Sequence, residues 1–155
     1  MNSAIEKTLN YSTGYLDENM IRQSGAVPVL LKNNEPLILL IDNVHQTRLI
    51  VPKGIIEDGQ TPEDAAARES MEEAGVSGEI LSEPLGRYTY NKWNDTCRVD
   101  LFILSVRTVH ERWDEDNFRK RYWNTWDEFL EKVDDRIPRS LLWRIPELAG
   151  FTNTR

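Results

Sequence analysis

Gly54 to Val76 reads GIIEDGQTPEDAAARESMEEAGV and holds a helix start, a helix stop and a cluster of carboxylates. Thr61 is a good N-cap, Pro62 suits the first helical position, and Asp64 stands where a capping-box acid belongs, so the pattern predicts a helix from about Pro62. Gly75 supplies its stop. A 3.6-residue period gathers Arg68, Glu69, Glu72 and Glu73 along one stripe. The opposite side, with Ala67, Met71 and Ala74, is expected to pack on a sheet. The turn before Glu69 carries only Ala65 and Ala66, so the acidic face is expected to be open.

Like charges at these spacings repel by about 0.2–0.5 kcal/mol per pair. Arg68 offsets part of this by pairing with Glu72 at i+4, and a bound cation would offset more. Oxygen ligands with no Cys or His nearby favour a hard ion, Mg²⁺ or Mn²⁺, over zinc. An acidic stripe on a solvated helix is the plain alternative. Two glycines favour the metal: Gly54 follows Val51-Pro52-Lys53 at the end of a β-rich run, and Gly59 sits in the next loop. Both allow backbone to approach a ligand closely.

Gly54, Arg68-Glu69, Glu72-Glu73, Gly75 and Val76 fall at the spacing of the Nudix box, which this stretch resembles. Two positions depart from that pattern: Gln60 stands where Glu is usual, and Ser70 where a bulky apolar residue is usual. The order of elements over 24–150 resembles one whole Nudix domain, which implies an α/β fold, an α/β/α sandwich around a mixed sheet. Glu111-Arg112-Trp113 followed by Phe118 to Trp123 is similar to the diphosphoinositol polyphosphate phosphohydrolase branch and its bacterial relatives.

The resemblance implies hydrolysis of a diphosphate linked to another group, as in nucleoside-diphosphate-X compounds or inositol pyrophosphates. Glu72 and Glu73 would hold Mg²⁺ or Mn²⁺, with the Gly54 carbonyl as a further ligand and Glu57 as a secondary one. Glu69 would be a ligand or the base that deprotonates water. Arg68 would hold the carboxylates in place, and Lys53 would meet a phosphate. Arg119 and Arg121 are read either as phosphate contacts or as ordinary surface charge. Gln60 and Ser70 keep a second reading in view, a catalytically weak Nudix-like module that only binds its ligand.

Working outward, residues 1–23 read as a polar arm and 151–155 as a tail. Ser24–Leu31 and Leu37–Ile41 read as a strand hairpin across an Asn-rich turn, and Arg48–Val51 as a short strand. His45 is an exposed loop histidine. Ser77–Leu81 and Leu85–Tyr90 have strand character. Arg98–Val109, beyond a polar tip at Asn91–Thr96 that includes Trp93, reads as the central strand. The acidic stretch from His110 to Asp116 is a loop that could lend a carboxylate to a metal. Thr125 and Glu128 make a capping box for a helix over Trp126–Val133. A terminal helix beyond Pro138 is expected to be interrupted by Pro146.

The 155 residues suit one domain with a sizeable core. A formal charge of −7 argues against broad adhesion to nucleic acid or membrane, so an RNA 5′-end pyrophosphohydrolase is disfavoured against a small anionic substrate. Cys97 is the only cysteine, and no apolar run approaches the length of a membrane span. A cytoplasmic monomer or homodimer is expected.

Overall fold

The computed structural model describes residues 20–92 and 94–152. β1 (Met20–Lys32) and β2 (Glu35–Asp42) form the expected hairpin, closed by Asn33 and Asn34 at φ 55° and 69°. Positive φ at both turn residues matches the right-handed twist of the strands, and asparagine tolerates it better than most side chains. β7 (Asp95–Val109) is the central strand. It runs parallel to β1, from Met20 beside Thr96 to Val29 beside Ser105, and antiparallel to β5 (Val76–Ile80) and β6 (Gly86–Lys92).

Three short strands complete a mixed sheet of eight. β3 (Leu49–Ile50) pairs with β2, as does β8 (Arg121–Asn124), and β4 (Lys53–Ile55) pairs with β1. Neither β4 nor β8 was expected, because each is too short to carry a periodic pattern and exists through the long strand it joins. β1 also starts earlier than expected: Met20 to Gln23 belong to the sheet and not to the N-terminal arm. The rest of that arm, Trp93 and the last three residues of the tail lie outside the described residues.

The apolar runs of the long strands have few polar interruptions because both faces are covered. Leu39, Ile41, Phe102 and Leu104 point to one side, where α1 (Pro62–Ala74) lies. Ile38, Leu40, Leu101 and Ile103 point to the other, against α2 (Trp126–Lys132), α3 (Arg139–Leu142) and α4 (Ile145–Ala149). The result is an α/β/α sandwich. Thr125 and Glu128 form the expected capping box of α2. The terminal helix is interrupted as expected, split into α3 and α4 at Trp143 and Arg144, and Pro146 takes the second position of α4, where its missing N–H costs nothing. Among the described residues no helix is long and apolar enough to cross a membrane.

α1 has the expected ends: Thr61 and Asp64 make both bonds of a capping box, and Gly75 stops it in the left-handed region at φ 66°. Its faces differ from the expectation. Ala67 is exposed and Met71 half-buried, whereas Ala65, Ala66, Ser70 and Ala74 are buried together with Glu69 and Glu73. Small residues mark the side of close approach to the sheet, and the two acids lie on that buried side. The acidic face is therefore not open.

Ser70 is part of this close approach, fully buried with its hydroxyl donating to the Ala66 carbonyl at 2.8 Å. That local bond offers no tertiary contact that alanine would lose. Ser70→Ala should leave Tm within about 2 °C, while Ser70→Leu, which overpacks the site, should cost about 1–3 kcal/mol. Thermal melts of both variants check this, and a more stable leucine variant would show that the interface has room.

Candidate active site

β4 and α1 lie against each other so closely that one glycine decides the geometry. A Cβ on Gly54 would stand 2.2 Å from the Glu69 carboxylate Oε2, so only glycine lets this carboxylate lie on the strand backbone. One residue earlier, the Lys53 backbone N–H donates to Glu73 Oε1 at 3.2 Å. Glu69 and Glu73 are one helical turn apart, both on the buried side of the helix, and their carboxyl groups are close enough to influence each other's ionisation. Burial pushes the pKa of Glu69 up against the pull of Arg68. Burial likewise pushes Glu73 up to about 8, opposed by Arg119 and reinforced by Glu69. Such proximity disfavours charging both at once.

Arg68 organises the outer side of this pair. Its Nη1 lies 3.0 Å from Glu69 Oε2 and 3.2 Å from Glu72 Oε1, the latter being the expected i,i+4 pair. Its Nη2 donates to the Ile55 carbonyl at 3.1 Å and to Gln60 Oε1 at 3.5 Å, and Glu57 is 3.7 Å away. Gln60 Oε1 also accepts the Glu57 backbone N–H at 3.1 Å, so its side-chain oxygen holds the loop in front of the helix.

Arg119 and Arg121 hold protein groups. Arg119, only 7% exposed, places Nη2 3.5 Å from Glu73 Oε2, donates from Nε to Glu115 Oε1 at 2.8 Å, and donates from Nη1 to the Asp42 carbonyl at 2.7 Å. Arg121 donates to the Ala74 and Gly75 carbonyls, each at 3.3 Å. No basic residue occupies the last turn of α1, so Arg121 brings the positive charge that the C-terminal end of a helix dipole favours.

The segment between β7 and β8 packs against the same helix end. Trp113 Nε1 donates to the Glu73 carbonyl at 3.0 Å, its ring lies 3.9 Å from the Arg121 guanidinium carbon, and a Cβ on Gly75 would be 2.7 Å from it. The Glu115 backbone N–H donates to the Glu72 carbonyl at 3.2 Å, and the Glu115 carboxylate is near enough to raise the pKa of both Glu69 and Glu73. The acidic loop was visible in the sequence. Nothing in its spacing singled out Trp113 or Glu115, because their partners come from a helix some forty residues earlier in the chain.

Among the described residues no three His, Cys, Asp or Glu side chains are arranged so that they could hold a metal ion together. Glu72 faces Arg68 and Glu57 is 64% exposed beside it. The acidic donors, Glu57, Glu69, Glu72 and Glu73, offer oxygen alone, which is the donor chemistry of a hard divalent ion.

A family model described as the NUDIX domain matches residues 22–143. Nudix hydrolase 4 of Arabidopsis thaliana is 38% identical over 141 residues, covering 84% of this chain and 65% of the relative. Diphosphoinositol polyphosphate phosphohydrolase 3-alpha of Mus musculus is 30% identical over 116 residues, covering 74% of this chain and 70% of the relative. The chain thus spans about two thirds of the length of these relatives. A solved Ap4A hydrolase of C. elegans shares the fold with TM-score 0.70 at 18% identity, over 84% of this chain and 99% of that one. The chain belongs to the Nudix family of pyrophosphohydrolases.

Proposed function

We propose that this Nudix chain cleaves the diphosphate linkage of a small nucleoside-diphosphate-X or inositol-pyrophosphate type molecule, with Mg²⁺ or Mn²⁺ as its metal. The observation that carries this reading is the buried Glu69–Glu73 pair at one helical turn, with Glu69 pressed against Gly54 and Glu73 held by the Lys53 backbone N–H. Glu69, Glu72 and Glu73 would hold the ion, with the Gly54 carbonyl and Glu57 as further oxygen donors. When bound, the metal neutralises charge on phosphoryl oxygens and lowers the pKa of the attacking water.

Water attacks phosphorus, the bond from phosphorus to the leaving oxygen breaks, and the water proton passes to a carboxylate. Glu69 is the residue we assign to that proton when it is not a ligand; Glu115 is a second acid at the same place. Arg68 orients Glu69 and Glu72, and Arg119 orients Glu73. In this reading the two arginines of the second half, Arg119 and Arg121, act on the protein's own groups more than on substrate phosphates. The single cysteine, buried and free, agrees with a reducing compartment such as the cytoplasm, although relatives include proteins named as mitochondrial or chloroplastic.

Three measurements test this. Glu73→Gln should lower turnover about 10²–10⁴-fold, the range of a lost acid–base or charge-stabilising group, with little change in Tm; a fully active variant would remove the metal role. Product release across a panel of inositol pyrophosphates, dinucleoside polyphosphates, nucleotide sugars and triphosphorylated RNA should stop on chelation with EDTA and return with Mg²⁺ or Mn²⁺. Gln60 uses only its side-chain oxygen in the bonds to Glu57 and Arg68. Gln60→Glu should therefore keep the fold and change kcat/KM by less than about tenfold; a larger gain would mean that the natural glutamine weakens catalysis.

A further inference from the structure

The guanidinium of Arg68 is seated among oxygens much as a bound cation would be. Nη1 lies 3.0 Å from Glu69 Oε2 and 3.2 Å from Glu72 Oε1, while Nη2 has the Ile55 carbonyl at 3.1 Å, Gln60 Oε1 at 3.5 Å and Glu57 Oε2 at 3.7 Å. Three carboxylates, a backbone carbonyl and a neutral amide oxygen therefore face one positive charge. Glu73, the fourth acid of the cluster, has other partners, Arg119 at 3.5 Å and the Lys53 backbone N–H. The acids around Arg68 are spread about its planar fork, and as they stand no three His, Cys, Asp or Glu side chains among the described residues are arranged to hold an ion.

The seat of Arg68 is incompletely satisfied. Its Nε is buried with no hydrogen-bond partner among the described residues, an unmade bond that lowers the cost of moving the group. One charge among three carboxylates leaves the group net negative, so a dication would neutralise it more fully. The side chain is 25% exposed and borders water, so it can withdraw without opening the core. Gln60 resists that withdrawal, since its Oε1 accepts from Arg68 Nη2 while also accepting the Glu57 backbone N–H.

We infer that Arg68 is a built-in competitor for the divalent ion: it serves Glu57, Glu69 and Glu72 as their counter-cation and must give them up when the ion binds, so the cost of displacing it sets the metal affinity. This rests on the proposed placement of the metal on these acids. An ion on the two oxygens that Arg68 touches needs the guanidinium to leave. An ion on the remaining oxygens of the same carboxylates would still lie beside the guanidinium and be repelled by it. The engaged arrangement thus binds metal poorly, and the apparent affinity is reduced by the fraction of molecules that adopt it. Gln60, which holds the arginine engaged, is a positioning residue for this competition.

The test is calorimetric titration of the full chain with Mn²⁺, without substrate, on wild type, Arg68→Gln, Gln60→Ala and Arg139→Gln. Arg68→Gln should bind Mn²⁺ about tenfold more tightly than wild type, and Gln60→Ala, which loosens Arg68 without removing it, about twofold to threefold more tightly. Mn²⁺ should also raise the Tm of Arg68→Gln more than that of wild type. Arg139, exposed on α3 across the sheet, makes the same change of net charge away from the cluster, and its variant should bind as wild type does. Gln60→Ala decides the matter if Arg68→Gln does not fold. Equal or weaker binding by the Arg68 and Gln60 variants, or equal tightening by Arg139→Gln, overturns the competition and leaves the hydrolase reading standing. Binding by none of the four overturns both. If Mn²⁺ binds but no diphosphate compound is cleaved, the hydrolase reading fails while the titration still decides the competition.

Discussion

Two glutamate carboxyl groups, Glu69 and Glu73, are held one helical turn apart at the buried seam between a helix and a strand, and much of the surrounding structure is arranged to make this tolerable. Burial disfavours both charges and their proximity disfavours them further. The offsetting groups come from four directions: Arg68 on the helix, the Lys53 backbone on β4, Arg119 beyond the acidic loop, and Gly54, which contributes by lacking a side chain. Removing Arg68 takes the ion-pair partner from Glu69, removing Arg119 leaves Glu73 with the backbone N–H alone, and a side chain at Gly54 displaces the Glu69 carboxylate, which is why such seams admit few substitutions.

The helix end opposite the caps is held with equal care. A free C-terminus would leave carbonyls without donors next to the glutamates whose positions matter most. Trp113 and Arg121 take the carbonyls of Glu73, Ala74 and Gly75, and stack on each other while doing so. The left-handed Gly75 serves both the turn and the tryptophan, since a methyl group there would strike the indole ring. The backbone of the site and the loop that guards it are one packed unit.

The parts legible in the sequence were those with local causes. Thr61, Asp64 and Gly75 fixed the ends of the box helix, Asn33 and Asn34 marked the hairpin turn, and the long apolar run of β7 identified the central strand. What was hidden depended on partners distant in the chain. Ala65 and Ala66 were read as leaving the approach to the carboxylates uncovered, so Glu69 and Glu73 were assigned to an open face; with Ser70 and Ala74 these small residues instead mark what faces the sheet. Arg119 and Arg121 were read as phosphate contacts or ordinary surface charge because sequence gives no view of Glu115, Asp42 or the helix C-terminus to which they bind. The two short strands β4 and β8 owe their existence to β1 and β2.

The parallel pairing of β1 with β7 also orders events in folding. The hairpin of β1 and β2, the box helix and the antiparallel pairing of β6 with β7 each close over short stretches of chain and can form early. Met20 meets Thr96 only after the whole intervening segment has been brought round, and that loop closure costs entropy before any contact repays it. The helix of the box lies inside that loop. Its acids are therefore assembled against β4 within a segment that this long closure encloses, while the loop bearing Trp113 and Arg119 reaches the helix end by a shorter route, through the pairing of Val76 with Val109.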